Sequence, residues 1–344
     1  MSSISPQPKL LARAWSGLRG LLGPVVALWV VVVFFTAAEF VQANWNGQTY
    51  RNNFFNVENA RNVLVQNVTV AVAALGMTVI IIAGGIDLSA GTALGLSATV
   101  LAFLLKGSWS PTMAVGLCLA TGLACGFVNG VLVSALRVVP FIVTLGSMTF
   151  YLGVAKWVAN DSTVRPNTAN VPGWMPALVD PQAQLPDHGV ASGIWLALLL
   201  AGVMAILLNY TVFGRHVFAL GSNEATARLC GINVPLTKIA VYSLAGLFFG
   251  MAGVYQFSRL SSGSPTSGSG MELKIIAAVV IGGGSLSGGR GSILGTLAGA
   301  GIMGVIGSGC TMINLSNRVQ DMILGVIIVA AVTIDQFRQR RAER

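Results

Sequence analysis

The residue with the clearest chemical potential in this sequence is Asp87, which stands in the apolar stretch Gly84-Gly-Ile-Asp-Leu-Ser-Ala-Gly91. A carboxylate in hydrocarbon costs about 2.5–3.5 kcal/mol on insertion scales, so Asp87 must face protein, trapped water or a membrane edge. The glycines fit a break between two helices, where free backbone groups also need partners. Two roles remain open for this structural or gating turn, formed by Gly84, Gly85, Asp87 and Ser89. Asp87 caps a helix or accepts backbone N–H groups, or it takes part directly in binding or gating.

No other group of residues has the types and spacing that enzymatic chemistry requires. The four cysteines are Cys118, Cys125, Cys230 and Cys310. They have neither metal-ligand spacing nor a disulfide framework, and we interpret them as small apolar packing residues. His188 and His216 stand alone in polar stretches, and the sequence contains no nucleophile elbow, phosphate-binding loop, HExxH or CxxC motif. We therefore expect no catalytic residue, no metal site and no cofactor on this chain.

The composition indicates the environment of these residues. Only 9% of the chain is charged and 54% is hydrophobic, with a mean hydropathy of +0.76, whereas soluble domains carry about 25% charged residues. The 42 glycines suit helices that pack closely in lipid. The chain length allows about ten spans of ~20 residues. We therefore predict an all-α, polytopic membrane protein, and the dispersed basic residues do not indicate nucleic-acid binding.

The spans are predicted from apolar runs that polar segments separate. They cover residues 21–38, 63–83, 89–105, 113–134, 139–158, 194–208, 236–257, 275–284, 293–306 and 319–334. The eighth run has only about half of the ~20 residues that a straight span requires, so a broken or re-entrant helix is expected there. A single transmembrane domain over 21–336 contains an external loop, 159–192, with a short helix near 174–179, and a cytoplasmic loop, 209–235. Tails 1–20 and 337–344 flank it.

The distribution of charge predicts the orientation. With both termini on the inside, twelve of the 20 basic residues and four of the 11 acidic residues fall in inner segments. Such an excess of basic residues on the inner side follows the positive-inside rule. Both termini are therefore expected in the cytoplasm.

Two glycine-rich segments resemble each other. Residues 82–91, Ile-Ala-Gly-Gly-Ile-Asp-Leu-Ser-Ala-Gly, resemble residues 281–289, Ile-Gly-Gly-Gly-Ser-Leu-Ser-Gly-Gly, once one position is skipped. Each precedes a helix rich in small residues. Transporters are often built from two structural repeats, so an internal repeat is one interpretation and a chance resemblance of glycine-rich segments is the other.

The cytoplasmic loop contains a short, clearly delimited helix. Ser222 or Asn223 can serve as N-cap, Glu224 complements the helix dipole, and Gly231 supplies a left-handed stop. About eight residues fit between the caps, or ~12 Å of helix. The helix either shields the ends of the spans or forms a docking site for a cytosolic protein, with Arg228 and Glu224 on its polar side and Leu229 and Ile232 as apolar anchors.

Several separated motifs carry a family resemblance. They are Gly76-Met-Thr with Gly84-Gly-Ile-Asp-Leu-Ser89, Gly126-Phe-Val-Asn-Gly130, Pro140-Phe-Ile-Val-Thr-Leu-Gly146, Gly221-Ser-Asn-Glu-Ala-Thr-Ala-Arg-Leu-Cys-Gly-Ile-Asn233 and residues 276–291, Ile-Ala-Ala-Val-Val-Ile-Gly-Gly-Gly-Ser-Leu-Ser-Gly-Gly-Arg-Gly. In this order, over residues 62–335, the sequence resembles the ribose-type (monosaccharide) permease family of bacterial ABC importers. These are membrane-spanning subunits in the bacterial inner membrane.

The resemblance implies an architecture and a set of partners. The architecture is that of vitamin-B12-importer-like (type II) permeases. Partners are an ABC ATPase, which binds ATP and Mg, a periplasmic or extracellular solute-binding protein, and a second permease in a homodimer or heterodimer, with a sugar or similar small polar solute. Residues 222–233 correspond to the coupling helix that docks on the ATPase: Ser222, Asn223, Glu224, Ala225, Thr226, Ala227, Arg228, Leu229, Cys230, Gly231, Ile232 and Asn233.

One departure from the family concerns the outer mouth. Where many members have an acidic residue after Glu-Leu, this chain has Glu272-Leu273-Lys274. This change indicates different contacts at the outer opening of the solute path or a different solute delivered by the binding protein.

Polar and aromatic residues within the spans are candidates for a solute pathway. They are Asn67, Thr78, Asn129, Phe141, Thr144, Ser147 and Phe150. Sugars need hydrogen-bond partners and apolar walls, although each of these side chains equally fits a role in helix packing. An ion-coupled secondary transporter or facilitator is the main alternative, but it would require intramembrane acids paired along a path. A membrane scaffold or receptor is a third interpretation.

Overall fold

The computed structural model describes residues 9–45, 54–136, 138–180 and 190–342. The helices of this part are α1 (Lys9–Trp45), α2 (Val57–Ile82), α3 (Ala90–Lys106), α4 (Pro111–Leu136), α5 (Pro140–Ala159), α6 (Trp174–Ala177), α7 (Ser192–Tyr210), α8 (Val212–Ser222), α9 (Glu224–Leu229), α10 (Val234–Leu260), α11 (Met271–Ile281), α12 (Ile293–Met312) and α13 (Asn317–Ala342). A 3-10 turn spans Thr168–Asn170. Strand pairing within the described ranges is limited to one bridge, between Val164 and Gly263. The fold is all-α, as predicted.

Seven of the described helices are long and apolar enough to cross a membrane. They are the Gly23–Trp45 part of α1 together with α2, α4, α5, α7, α10 and α12. The apolar α3 has 17 residues and α11 has 11, while α13 lies outside this set. The protein is therefore a multi-pass membrane protein, and the expected number of about ten transmembrane spans is not confirmed.

Helix α2 lies at the centre of the bundle. It packs against α10, α12, α11 and α7, and most of its residues are buried. Glycines let α4 approach α10 closely, because a Cβ on Gly122 or Gly126 would overlap backbone atoms of Gly246 or Tyr242. Small residues at helix contacts are typical of membrane bundles. The core around α2 is the scaffold that holds the turn containing Asp87.

The eighth predicted span, 275–284, corresponds to the short helix α11, which has 11 residues. The segment before α11 runs along α3, with Gly263 next to Thr99 and Ala102 and Gly268 next to Gly91. Gly268 approaches the α3 backbone so closely that a Cβ would overlap the Gly91 carbonyl. The chain before α11 therefore forms a series of turns packed against α3, in which the Ser267 N–H donates to the Ser264 carbonyl and the Ser269 N–H to the Thr266 carbonyl.

The two glycine-rich segments end their helices with the same hydrogen-bond pattern. After α2, Gly84 N–H donates to Ile81 O and Gly85 N–H to Ile80 O, and after α11 Gly283 and Gly284 donate to Val280 and Val279 in the same way. Gly84 and Gly283 have φ of +81° and +93°, a left-handed conformation that favours glycine. The local likeness detected in the sequence is therefore present in the backbone.

The predicted external loop contains the short helix α6, where a helix near 174–179 is expected. The side chain of Asn170 anchors the loop by donating to the Leu105 carbonyl at 3.0 Å. His188 lies outside the described residues.

Candidate functional site

Asp87 lies in the turn between α2 and α3 and is fully buried. Its Oδ1 accepts hydrogen bonds from the Ser89 backbone N–H at 2.8 Å and the Ser89 hydroxyl at 2.6 Å. Its Oδ2 accepts a hydrogen bond from the amide Nδ2 of Asn129 on α4 at 3.2 Å. The carboxylate thus satisfies a backbone N–H at the start of α3, which is the first of the two roles considered for it.

Asn129 extends this network to α5. Its Nδ2 also donates to Ser89 Oγ at 2.8 Å, and its Oδ1 accepts from the Tyr151 hydroxyl at 3.0 Å. The same hydroxyl lies 2.9 Å from the Cys125 carbonyl oxygen. Because buried polar groups are costly without partners, this satisfied network holds α3, α4 and α5 in one arrangement.

Thr144 joins α5 to the same turn. Its hydroxyl donates to the Ile86 carbonyl at 3.2 Å and accepts the Leu88 N–H at 3.2 Å. Ser147 donates to the Val143 carbonyl of its own helix at 3.1 Å, and both hydroxyl residues are buried. The backbone of residues 86–88 is therefore held by α5 on one side and by the Asp87 network on the other.

The remaining pathway candidates lie apart from this turn. Thr78 on α2 is buried, with its hydroxyl 2.7 Å from that of Thr296 on α12. Asn67 donates to the Val63 carbonyl at 3.1 Å and is partly buried. Phe141 and Phe150 are exposed on α5, by 46% and 67%. The structure thus brings Asn129 and Thr144 together around Asp87 and leaves the two phenylalanines on the surface.

The short helix predicted in the cytoplasmic loop is α9. The side chain of Asn223 caps it by accepting the Thr226 N–H at 2.9 Å, and Gly231 ends it at φ +82°. The helix has six residues rather than about eight. Leu229 is 89% exposed, whereas Ile232 is partly buried, so of the two proposed anchors Leu229 is the one available to a partner.

Glu224 connects α9 to α10. It forms an ion pair with Arg228 at 3.2 Å and a shorter one with Lys238 at 2.8 Å. The hydrogen bond from Lys238 is the main reason that the pKa of Glu224 is lowered. Glu224 and Arg228 are exposed and Lys238 is partly buried, so the ion pairs orient α9 more than they stabilise the fold.

The end of α8 fits between the two glycine-rich turns. Gly221 lies so close to the Ile82 carbonyl and to Gly289 N that a Cβ would overlap both, and Gly288 lies against Gly84. The Gly289 N–H donates to the Ile82 carbonyl at 2.8 Å. We call the contact formed by Ile82, Gly84, Gly221, Gly288 and Gly289 the glycine junction. Because α9 begins at Glu224, three residues after Gly221, this junction connects α9 closely to both turns.

The sequence did not predict the roles of three residues in the buried hydrogen bonds and the glycine junction. Tyr151 and Thr296 complete buried hydrogen bonds, and Gly221 makes the closest backbone approach at the junction. Gly221 stands in the quoted motif beside the predicted helix, but only its contacts show its role. Tyr151 and Thr296 have no local signal, because their partners are distant in the chain.

Comparisons with known proteins relate this chain to transport permeases. Residues 59–332 match the family described as "Branched-chain amino acid transport system / permease component". The chain is 40% identical to the ribose import permease protein of Escherichia coli (strain K12) over 85% of this chain and 89% of that protein. It is 33% identical to the fructose import permease protein of Rhizobium meliloti over 84% and 81% of the two chains. It is 32% identical to the xylose transport system permease protein of Escherichia coli (strain K12), over 99% and 100%. No solved structure matches this chain.

Proposed function

Since the chain belongs to the ribose-type permease family of ABC importers, we propose that it forms the membrane path through which an ATP-driven importer moves a monosaccharide or similar small polar solute. The family description mentions branched-chain amino acids, but the ribose, fructose and xylose permeases similar to this chain are all named for sugars. These names support a sugar as the solute.

The coupling of transport to ATP is proposed to run through α9. Residues 222–233 form the coupling helix and its caps, and they dock on a partner ABC ATPase that binds and hydrolyses ATP with Mg. The observation that supports this most strongly is the glycine junction, which connects α9 to the turns after α2 and α11. Exposed Leu229 and the polar pair Arg228 and Glu224 are suited to a partner surface.

The solute path is proposed to lie between this permease and a second copy or a related permease. We propose a type II architecture with one transmembrane domain over residues 21–336, both termini in the cytoplasm, and residues 1–20 and 337–344 as tails. A soluble binding protein delivers the solute from the outside. Exposed Phe141 and Phe150 on α5 are better placed to meet a solute or a second permease than buried Thr78.

Movement through such a path follows alternating access. ATP binding brings the ATPase subunits together, the α9 helices move with them, and the path changes the side to which it opens. The buried bonds of Asp87 and Thr144 give residues 86–88 a fixed shape. We propose that Gly84, Gly85, Asp87 and Ser89 act as a structural or gating turn rather than as ligands of the solute.

The alternative of an ion-coupled transporter requires acids paired along a path. In the part of the chain that the structure describes, the hydrogen-bond partners of the Asp87 carboxylate are Ser89 and Asn129, and no second acid is among them. This environment suits a structural carboxylate.

The native thiol of Cys230, just after α9, allows docking to be tested. Cys230 is exposed, whereas Cys118, Cys125 and Cys310 are buried. We expect the partner ABC ATPase to protect Cys230 from a maleimide, because docking covers α9. A Lys156→Cys, Cys230→Ser variant is the matched control, since exposed Lys156 lies in the last turn of α5. Equal labelling of Cys230 with and without the ATPase would contradict the docking.

A further inference from the structure

A polar cavity of about 390 Å³ lies between α2, α12, α13 and the segment that leads from α10 into α11. Its volume lies within the range of about 300–1,000 Å³ typical of small-molecule sites. The side chains that give it polar character include Gln66, Asn67, Arg259, Ser267, Lys274 and Gln320. Gln66 and Asn67 belong to the first half of α2, so the cavity lies towards the end of α2 opposite to the glycine junction.

Two positive charges face this cavity without a carboxylate beside them. Arg259 is in the last turn of α10 and Lys274 in the first turn of α11. Among the described residues neither side chain has an acidic partner within ion-pair distance, and no described acidic residue lines the cavity. Glu272 is directed elsewhere, because its Oε1 accepts the Gly270 N–H at 3.1 Å and its Oε2 lies against Gly91 of α3.

The neutral polar groups of the cavity are held in place by α12. A Cβ on Gly304 would overlap the Asn67 amide, and one on Gly307 would lie 3.0 Å from Gln320 Nε2. The absence of side chains at these two positions thus leaves room for both amides. In the described structure the Ser267 hydroxyl is buried without a hydrogen-bond partner. An unsatisfied buried hydroxyl is uncommon, and a ligand hydroxyl or carboxylate oxygen would satisfy it.

We propose that this cavity binds a sugar acid, a small solute that carries a carboxylate beside several hydroxyl groups. The carboxylate pairs with Arg259 and Lys274, since guanidinium and ammonium groups bind carboxylates by charge-assisted hydrogen bonds. The hydroxyls pair with the amides of Asn67 and Gln320 and with Ser267. This inference rests on the proposed function for the idea that the ligand is a transported solute, but binding itself can be measured independently of transport.

Binding is tested with the full chain in nanodiscs of phosphatidylcholine, a lipid without net charge. The probes are D-ribonate and D-glucuronate, each compared with its neutral counterpart, D-ribose or D-glucose, by isothermal titration calorimetry. We expect at least one acid to bind more tightly than its neutral counterpart. Since each charged hydrogen bond is expected to change affinity by about 10- to 100-fold, Lys274→Gln and Arg259→Gln should each weaken the binding by that factor. Lys156→Gln, which changes an exposed lysine outside the cavity, should leave the affinity unchanged.

The same site chemistry would suit a phosphate from a lipid headgroup or from solution. Nanodiscs that contain phosphatidylglycerol, and titrations with inorganic phosphate, separate these sources. If the lipid blocks the cavity and no sugar acid displaces it, or if phosphate alone binds, the proposal is wrong. Equal affinity for acid and neutral sugars, or an equal effect of Lys156→Gln, would also overturn it.

ATP-driven uptake of neutral ribose together with absence of sugar-acid binding would reject this site and leave the proposed function intact. Sugar-acid binding without ATP-driven uptake would support this site and reject the proposed function.

Discussion

The carbonyl oxygen of Ile82, the last residue of α2, accepts a hydrogen bond from the backbone N–H of Gly289 at 2.8 Å. This bond joins the turn after α2 to the loop between α11 and α12. Gly221 packs against both groups, so α8 is in contact with both turns at once. A displacement of α9 would therefore reach the centre of the bundle through very few contacts.

Substitution at Gly221 tests the tightness of this junction. In Gly221→Ala the new Cβ would overlap the Ile82 carbonyl, and we expect destabilisation by about 1–3 kcal/mol, typical of overpacking. Gly202→Ala on α7 is the matched control, because no atom lies within 4 Å of the new Cβ. Thermal unfolding in detergent measures both. Equal melting temperatures for the two variants would mean that the junction yields without strain.

Loss of the Tyr151 hydroxyl tests the buried network. Tyr151→Phe leaves Asn129 Oδ1 without the donor at 3.0 Å, and an unsatisfied buried acceptor costs about 1–3 kcal/mol. Tyr210→Phe is the control, because Tyr210 is 80% exposed. We expect a lower melting temperature for the first variant alone. A similar shift in both would show that the network contributes little.

Thr144 offers a separate test of the turn. Thr144→Val removes the hydroxyl that bridges Ile86 and Leu88, and we expect it to lower the free energy of unfolding by about 1–3 kcal/mol. Thr144→Ser keeps a hydroxyl and should retain most of that stability. Thr149→Val changes an exposed threonine of the same helix that is bonded only to the Leu145 carbonyl. If Thr149→Val were as destabilising as Thr144→Val in thermal unfolding, the bridge would have no special role.

The pKa of Glu224 tests the contact between α9 and α10. Because Lys238 lowers the pKa of Glu224 in the folded protein, the contact contributes stability above the ordinary glutamate pKa and loses it as pH falls through the lowered value. Lys238→Gln should return the pKa of Glu224 towards the ordinary range. Carboxyl ¹³C NMR across a pH titration measures the change, and an unchanged midpoint would exclude Lys238 as the cause.

The sequence predicts those features that rest on local chemistry. The burial cost of a carboxylate and the adjacent glycines predict the turn at Asp87, and the caps Asn223 and Gly231 predict α9. Helix lengths are less predictable, since α1 continues from Lys9 to Trp45, well beyond the predicted span 21–38. The apolar run predicts only the part of α1 that lies in lipid, whereas backbone hydrogen bonds extend the helix into the polar residues on both sides of that run.

The contacts of the site depend on packing between distant parts of the chain. The sequence around Tyr151 gives no sign that its hydroxyl meets Asn129, and a glycine at 221 fits a loop as well as a junction. Similarly, Arg259 and Lys274 belong to separate helices, and their shared cavity emerges only when α10 and α11 are placed together. Side-chain periodicity cannot give such pairings, because many packings satisfy the same pattern.

The most direct test of the account is solute uptake into liposomes that contain this permease with its ATPase and binding protein. We expect uptake to require ATP, and Arg228→Ala and Glu224→Ala to abolish uptake by dissociating the ATPase or by uncoupling hydrolysis from transport. Uptake that persists without the ATPase and follows a proton or sodium gradient would contradict the importer function. Asp87 would then be the first residue to examine as an ion-binding group.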